Sequence, residues 1–289
     1  MKSYKIAVCL SGEARTWEHC ATNILEFYKS DVHEVKFFGH TWTESDYRKE
    51  HEYYGVERYE RYDNTVLNLK MRNKINYQKL VVDNKSVVND TPEPSVISFD
   101  ECTYGLKRAA NLVKPTVYVH MSYSIMKANW LKTMYEIEND MRFDLVVRAR
   151  HDTYYMPGTT FDSYIPNNIE PTVIHGAINT FPMEYWQNHF NDVLFFGSSR
   201  VMNTVCDFYR YYSTGKFWEL LDTHWNDPYV KICGYNVSLY KWLAMKNIRV
   251  KETPLLFNTA VFRKKAADEL YRLPQDAEAI LDVERGLFR

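Results

Sequence analysis

The sequence predicts an α/β fold in a single domain, with a mostly parallel central sheet flanked by helices. Three observations carry that expectation. Two short apolar runs, residues 4–10 (YKIAVCL) and 34–42 (EVKFFGHTW), each run into a polar loop, and a stretch of helical periodicity separates them. A third run, 143–152 (FDLVVRARHD), follows a long helical pattern in the same way. No repeat, low-complexity tract or Gly/Ser linker divides the 289 residues, a length one α/β domain can fill.

The elements follow in order. After the first strand, Trp17, Cys20, Ala21, Ile24, Leu25 and Tyr28 recur at helical spacing, with Thr16 placed as an N-cap. Residues 43–111 are polar and tyrosine-rich; within them QKLVV (78–82) and SVVND (86–90) read as short strands and NDTPEPS (89–95) as a loop. The stretch after Pro115, 116–141, reads as a long helix with Ile125, Met126, Asn129, Trp130, Thr133, Met134 and Ile137 on one side. Beyond the third run, 172–176 and 192–198 read as strands, 199–212, 234–247 and 263–273 as helices, and 248–254 as a last strand.

Bulk composition narrows the function. Thirty-six basic and 37 acidic residues leave a formal charge of −1, so no global field draws in nucleic acid or an anionic membrane, and an anionic ligand needs a local cluster. Five cysteines (Cys9, Cys20, Cys102, Cys206, Cys233) without a C-x-x-C pair argue against a disulfide framework or a structural zinc site and for reduced thiols. The first twelve residues hold five consecutive apolar residues, too few for a signal-peptide core or a membrane span, and the expected location is the cytoplasm. The N-x-[ST] triplets at Asn84, Asn89 and Asn236 then read as chance. Aromatics reach 16%, which fits either sugar-stacking surfaces or compositional bias.

In such a sheet, ligands bind beyond the carboxyl ends of the strands. Three polar clusters stand there: Ser11-Gly12-Glu13-Ala14-Arg15, His40-Thr41-Trp42 and Arg148-Ala149-Arg150-His151-Asp152. Strand alternation puts Arg148, Arg150 and Asp152 on one side and Ala149 and His151 on the other. Two arginines can hold a diphosphate through charge-assisted bonds, and an aspartate beside them can take a divalent cation. G-x-x-x-x-G-K-[ST] and G-x-G-x-x-G are absent, which argues against ATPase and dinucleotide chemistry. His175, His189 and His224 are candidates to complete a metal shell, and Tyr154, Tyr155, Tyr185, Trp186 and Trp225 to stack on sugar rings.

The blocks KIAVCLSGEARTWE, FFGHTW, FDLVVRARHDTYY and NDVLFFGSSRVM, in this order over two-thirds of the chain, resemble a family of small glycosyltransferases with a GT-A fold encoded by large viruses, phages and bacteria. The resemblance implies sugar transfer from a nucleotide sugar, with UDP the favoured carrier, to a glycan acceptor. It further implies a nucleotide-sugar half at about 1–152 and an acceptor half at 153–289. Ser11, Gly12, Arg15 and Trp42 would hold the nucleotide, with Arg148 and Arg150 on the diphosphate. Asp152 falls on the last aspartate of the family's D-x-D motif, a ligand for Mn²⁺ or Mg²⁺, but Arg150 stands where the first would be and can take over part of the cation's neutralising role. Asp192 matches the acidic acceptor-side position and would be the base of an inverting transfer; a turn residue at the start of a strand is the alternative. Two other functions compete: a non-catalytic sugar- or nucleotide-binding module on this scaffold, and a hydrolase using Ser11, although G-x-S-x-G is missing.

Overall fold

The computed structural model describes residues 2–46, 59–61, 63–89, 115–176, 178–179, 189–213, 235–255, 259–264 and 270–273. The first strand, β1 (Lys5–Ser11), leads through α1 (Trp17–Tyr28) to β2 (Glu34–Trp42). The short β3 (Glu44–Asp46) and β4 (Tyr59–Arg61) pair with each other, and α2 (Asn64–Lys74) brings the chain to β5 (Tyr77–Asp83) and the short helix α3 (Ser86–Asn89). The long α4 (Pro115–Glu138) precedes β6 (Leu145–Ala149) and β7 (Thr153–Tyr155). Then come β8 (Val173–Gly176), β9 (Ile178–Asn179), β10 (His189–Phe190), β11 (Phe195–Gly197), α5 (Ser199–Cys206), α6 (Phe208–Ser213) and α7 (Tyr235–Met245). The last described strands are β12 (Arg249–Glu252), β13 (Thr259–Lys264) and β14 (Leu270–Leu273).

Seven strands make the main sheet in the order β12-β8-β11-β6-β1-β2-β5, and only β11 runs antiparallel to its neighbours. This is the mostly parallel, helix-flanked sheet the sequence predicts. Its two faces alternate as a doubly covered sheet requires. Ile6, Val8, Leu10, Leu145 and Val147 pack against α1, while Ala7, Cys9 and Val146 face the core of α4, α5 and α7. Gly39 is needed in β2, because a Cβ there would sit 2.6 Å from the Tyr77 ring and 2.7 Å from Leu80.

Local signals place the helices. Asp63 caps α2, accepting from Val66 N at 3.0 Å, and Ser198 caps α5, accepting from Val201 N at 3.3 Å. Thr16 precedes α1 as expected, but its hydroxyl makes no cap; the entry is a backbone turn, Trp17 N to Ala14 O at 2.8 Å. Two of the expected elements change type. Residues 86–89 form one helical turn rather than a strand, and the helical-looking 263–273 contributes β13 and β14, which pair in a small sheet with β7. The expected helix over 199–212 is two helices meeting at Asp207, and NDTPEPS lies largely outside the described residues.

Candidate functional site

The chain leaves β1 towards β2 on one side and returns to place β6 on the other, so the sheet reverses its winding between β1 and β6. The loops that follow these two strands meet at that switch point, where open α/β sheets bind ligands. The loop after β1 is held in an unusual shape. Gly12 takes φ 113° and Arg15 φ 39°, a left-handed conformation that a non-glycine residue adopts at a cost of roughly 1–3 kcal/mol. The Gly12 N–H is fixed by Ser124 Oγ at 2.7 Å.

A string of alternating charges runs across the two loops. Lys85 Nζ lies 2.8 Å from Glu13 Oε1, and Arg15 Nε lies 2.6 Å from Glu13 Oε2. Arg15 Nη1 then stands 3.8 Å from Asp152 Oδ2, and Arg150 grips Asp152 with two bonds, Nε to Oδ1 at 2.8 Å and Nη2 to Oδ2 at 2.9 Å. Burial alone would raise the Glu13 carboxyl, but Arg15 and Lys85 outweigh it and hold its pKa down to about 2. Burial opposes the Arg150 charge as well, and Asp152 first, then Asp192 and Glu13, more than restore it.

The other residues singled out from sequence take separate places. Alternation holds through Ala149 and then gives way to a turn at 151–152. Arg150 and Asp152 still share a side, but they face each other. Arg148 is buried, donating Nε–H to Ser11 Oγ at 3.1 Å and lying 5.8 Å from the Phe195 ring centroid. Ser11 and Trp42 are buried too, the indole edge-on to His40 and His120. These three therefore support the loops from beneath, while Gly12, Arg15 and Arg150 reach the rim. A nucleophilic Ser11 finds no support, since its oxygen faces a guanidinium rather than an imidazole.

Asp192 is 8% exposed and precedes β11 by three residues. The turn there is made by its neighbour, with Val193 N donating to Asn191 Oδ1 at 2.9 Å, so the Asp192 carboxylate is not needed for it. Its Oδ2 is buried with no hydrogen-bond partner among the described residues. A buried carboxylate oxygen left without a donor calls for an explanation, and an oxygen with its lone pairs open suits a proton-accepting role.

Behind the rim lies a second set in which His40 and His151, both read from the sequence clusters, are joined by Asp83, Tyr123, Ser124 and Tyr77, which the sequence reading did not find. His40 Nε2 donates to Asp83 Oδ2 at 3.2 Å, its Nδ1 meets Ser124 Oγ at 2.8 Å, and Tyr123 OH donates to Asp83 at 3.3 Å. Burial lowers the His40 pKa, which keeps the ring neutral, and the His40 hydrogen bond lowers that of Asp83. His151 donates Nε2–H to the His40 carbonyl at 3.0 Å, and Tyr77 OH faces its Nδ1 at 3.3 Å. Lys85 and Asp83 had one available signal: they sit at the carboxyl end of the 78–82 strand. Ser124 and Tyr123 had none, because only the packing of α4 brings them here.

The donors around Asp152 do not fit a divalent cation. Both its oxygens are taken by Arg150, both oxygens of Glu13 face cations, and among the described residues no three His, Cys, Asp or Glu side chains group to hold a metal ion. At an effective dielectric of ~20 a guanidinium 4 Å from a dication costs about 8 kcal/mol, where a carboxylate at position 150 would give a similar attraction. His175 is stacked on Phe196, centroids 4.9 Å apart, and Tyr155 is packed inside against Phe27 at 3.7 Å, its hydroxyl 2.8 Å from Tyr28 OH. Tyr155 is thus a core residue, clasped by Asn23 on both its N–H (2.7 Å) and its carbonyl (3.0 Å), and it anchors the segment that follows Asp152. Tyr154 is half-buried; Tyr185, Trp186, His224, Trp225, Cys102 and Cys233 lie outside the described residues, as does the His189 side chain. Cys9, Cys20 and Cys206 are buried and take part in no disulfide among the described residues.

No protein-family model matches the chain, and no curated protein matches it. Among solved structures, it is similar to mouse xyloside xylosyltransferase 1 in its apo form (11% identity, 88% of this chain and 85% of that one, TM-score 0.39). It is also similar to the galactosyltransferase LgtC in complex with donor and acceptor sugar analogues (10% identity, 86% and 73%, TM-score 0.40) and to the apo-form glycosyltransferase GlyE of Streptococcus pneumoniae (9% identity, 87% and 46%, TM-score 0.35). Among the described residues no helix is long and apolar enough to cross a membrane.

Proposed function

We propose that this chain is a glycosyltransferase that takes a sugar from a nucleoside-diphosphate sugar, UDP-linked as the first candidate, and joins it to a hydroxyl of a growing glycan. The observation that supports this reading best is the convergence of Lys85, Arg15 and Arg150 at the switch point of the sheet, with the buried Asp192 carboxylate within electrostatic reach of Arg150. Cations gathered at strand ends suit an anionic leaving group, and a carboxylate with one oxygen open suits the acceptor's proton.

The roles divide accordingly. Arg15 and Arg150 receive the phosphate oxygens; Glu13 and Asp152 hold these side chains in place. Asp192 takes the proton from the acceptor hydroxyl as its oxygen attacks the anomeric carbon. The bond from that carbon to the phosphate oxygen breaks, and its electron pair leaves with the diphosphate. A single displacement of this kind inverts the anomeric centre. Arg148, Ser11 and Trp42 act as positioning residues beneath the loops.

The test is calorimetric titration with UDP, GDP and CDP, followed by incubation with the matching nucleotide sugars and a panel of glycan acceptors, reading release of the nucleoside diphosphate. One nucleotide should bind, and its sugar should be consumed only with an acceptor. Failure of all three nucleotides to bind would remove the reading.

A further inference from the structure

Across the two loops the cations outnumber the carboxylates they pair with by one. Between Lys85 and Arg150 three cations alternate with two carboxylates, and each of the four carboxylate oxygens already faces a cation within 3.8 Å. Arg150 is placed to do what a metal ion does: it sits on Asp152, is about one-sixth exposed, and keeps its charge. Arg15, one-fifth exposed, reaches the same carboxylate from the other loop, in a backbone conformation that side chains rarely adopt. For a divalent ion to bind Asp152, the Arg150 fork would have to open and leave a guanidinium beside a dication.

We propose that Arg15 and Arg150, backed by Lys85, form a guanidinium clamp that neutralises the diphosphate of the donor and the leaving nucleotide without a divalent cation. The inference rests on the glycosyltransferase reading and deepens it. Guanidinium forks match phosphate oxygens two at a time, so the clamp supplies geometry as well as charge. Asp152 and Glu13 have a different task from metal ligands: they aim the clamp and prevent its arginines from repelling each other in the free protein. Position 150 is then the switch between the two modes of neutralisation, since an acidic residue there would leave Asp152 free and make an acidic pair.

The experiment uses the full chain and titrates UDP, GDP and CDP in excess EDTA and again in saturating Mn²⁺. The clamp predicts the same dissociation constant for the preferred nucleotide in both buffers, within about twofold. It predicts about tenfold to a hundredfold weaker binding for Arg150→Ala in either buffer, the range of a charge-assisted bond. Arg150→Asp should bind weakly in EDTA and be rescued by Mn²⁺. Should an Arg150 variant fail to fold, Arg15→Gln, at a more exposed side chain, is expected to weaken binding in both buffers alike. Wild-type binding that appears only with Mn²⁺ would overturn the clamp and leave the glycosyltransferase reading standing, as would undiminished metal-free binding by Arg150→Asp. No binding by the wild type in either buffer would remove both.

Discussion

Arg150 and Asp152 close a two-bond fork across a single intervening residue, 2.8 and 2.9 Å, at the point where the loop from β6 meets the loop from β1. The fork gives Asp152 a defined task, which is to hold a guanidinium. Asp152→Asn keeps the shape and removes the charge, so Arg150 is left half-satisfied in a site that is mostly closed to water. The expected cost is about 3 kcal/mol of stability together with weaker nucleotide binding, the same in EDTA as in Mn²⁺. Denaturant unfolding paired with nucleotide titration measures both, and a variant whose binding falls only in the presence of Mn²⁺ would point to metal ligation instead.

Asp192 gives a cleaner separation of binding from chemistry. Its Oδ2 has no partner to lose among the described residues, and the turn beside it belongs to Asn191. Asp192→Asn is therefore expected to fold normally and to bind nucleotide as the wild type does, while turnover drops by roughly 10²–10⁴, the contribution of a positioned general base. Steady-state rates alongside calorimetry decide the matter; turnover within a few-fold of wild type would move the base elsewhere.

Lys132 tests how the α4 side of the sheet is assembled. It is fully buried, and its ammonium donates to Glu136 Oε2, Ser199 Oγ and Asn203 Oδ1, each at 2.8 Å, tying α4 to α5. Glu136 is further bound by Ser199 Oγ at 2.8 Å and Phe143 N at 2.9 Å. Lys132→Met removes the cation and strands a buried carboxylate, so a loss of about 3–5 kcal/mol is expected. Urea unfolding measures it, and a loss under about 1 kcal/mol would mean that the pair is solvated.

Much of this was legible in the sequence, for reasons particular residues make plain. The runs 4–10 and 34–42 could be read as strands because both faces of those strands are covered, leaving unbroken apolar text, and the rim residues Arg15, Arg150 and Asp152 could be read because polar residues directly after such runs have few other uses. Residues 263–273 misled because Lys, Ala, Glu and Leu favour a helix in isolation, whereas the described residues at the two ends of this stretch are set by the pairing of β13 with β14. Lys85 escaped notice because its contact with Glu13 spans 72 residues of chain, which no local pattern records. Arg148 was expected at the rim with Arg150, yet β6 ends at Ala149, and the last residue to obey strict alternation towards that face is the buried one.

His151 should make the fold acid-sensitive. Its ring lies among His40, Tyr77, Arg148 and Asp152, and burial is the largest influence on it, pushing its pKa down to about 4. The unfolded chain has a histidine pKa near ~6.5. Between these values the unfolded state binds more protons than the folded one, so stability rises with pH and falls on acidification through this window. The neutral ring is thus fully stabilising above about pH 6.5, and its loss, about 3 kcal/mol for a shift of this size, is complete by pH about 4. His40, also lowered by burial, adds to the slope in the same direction. His151→Gln can keep a donor for the His40 carbonyl but cannot titrate. Unfolding free energies measured from pH 7 to 4 should therefore show a shallower slope in the variant, by about one proton. An unchanged slope would mean that the acid sensitivity arises at His40 or elsewhere and that His151 is not held neutral by the fold.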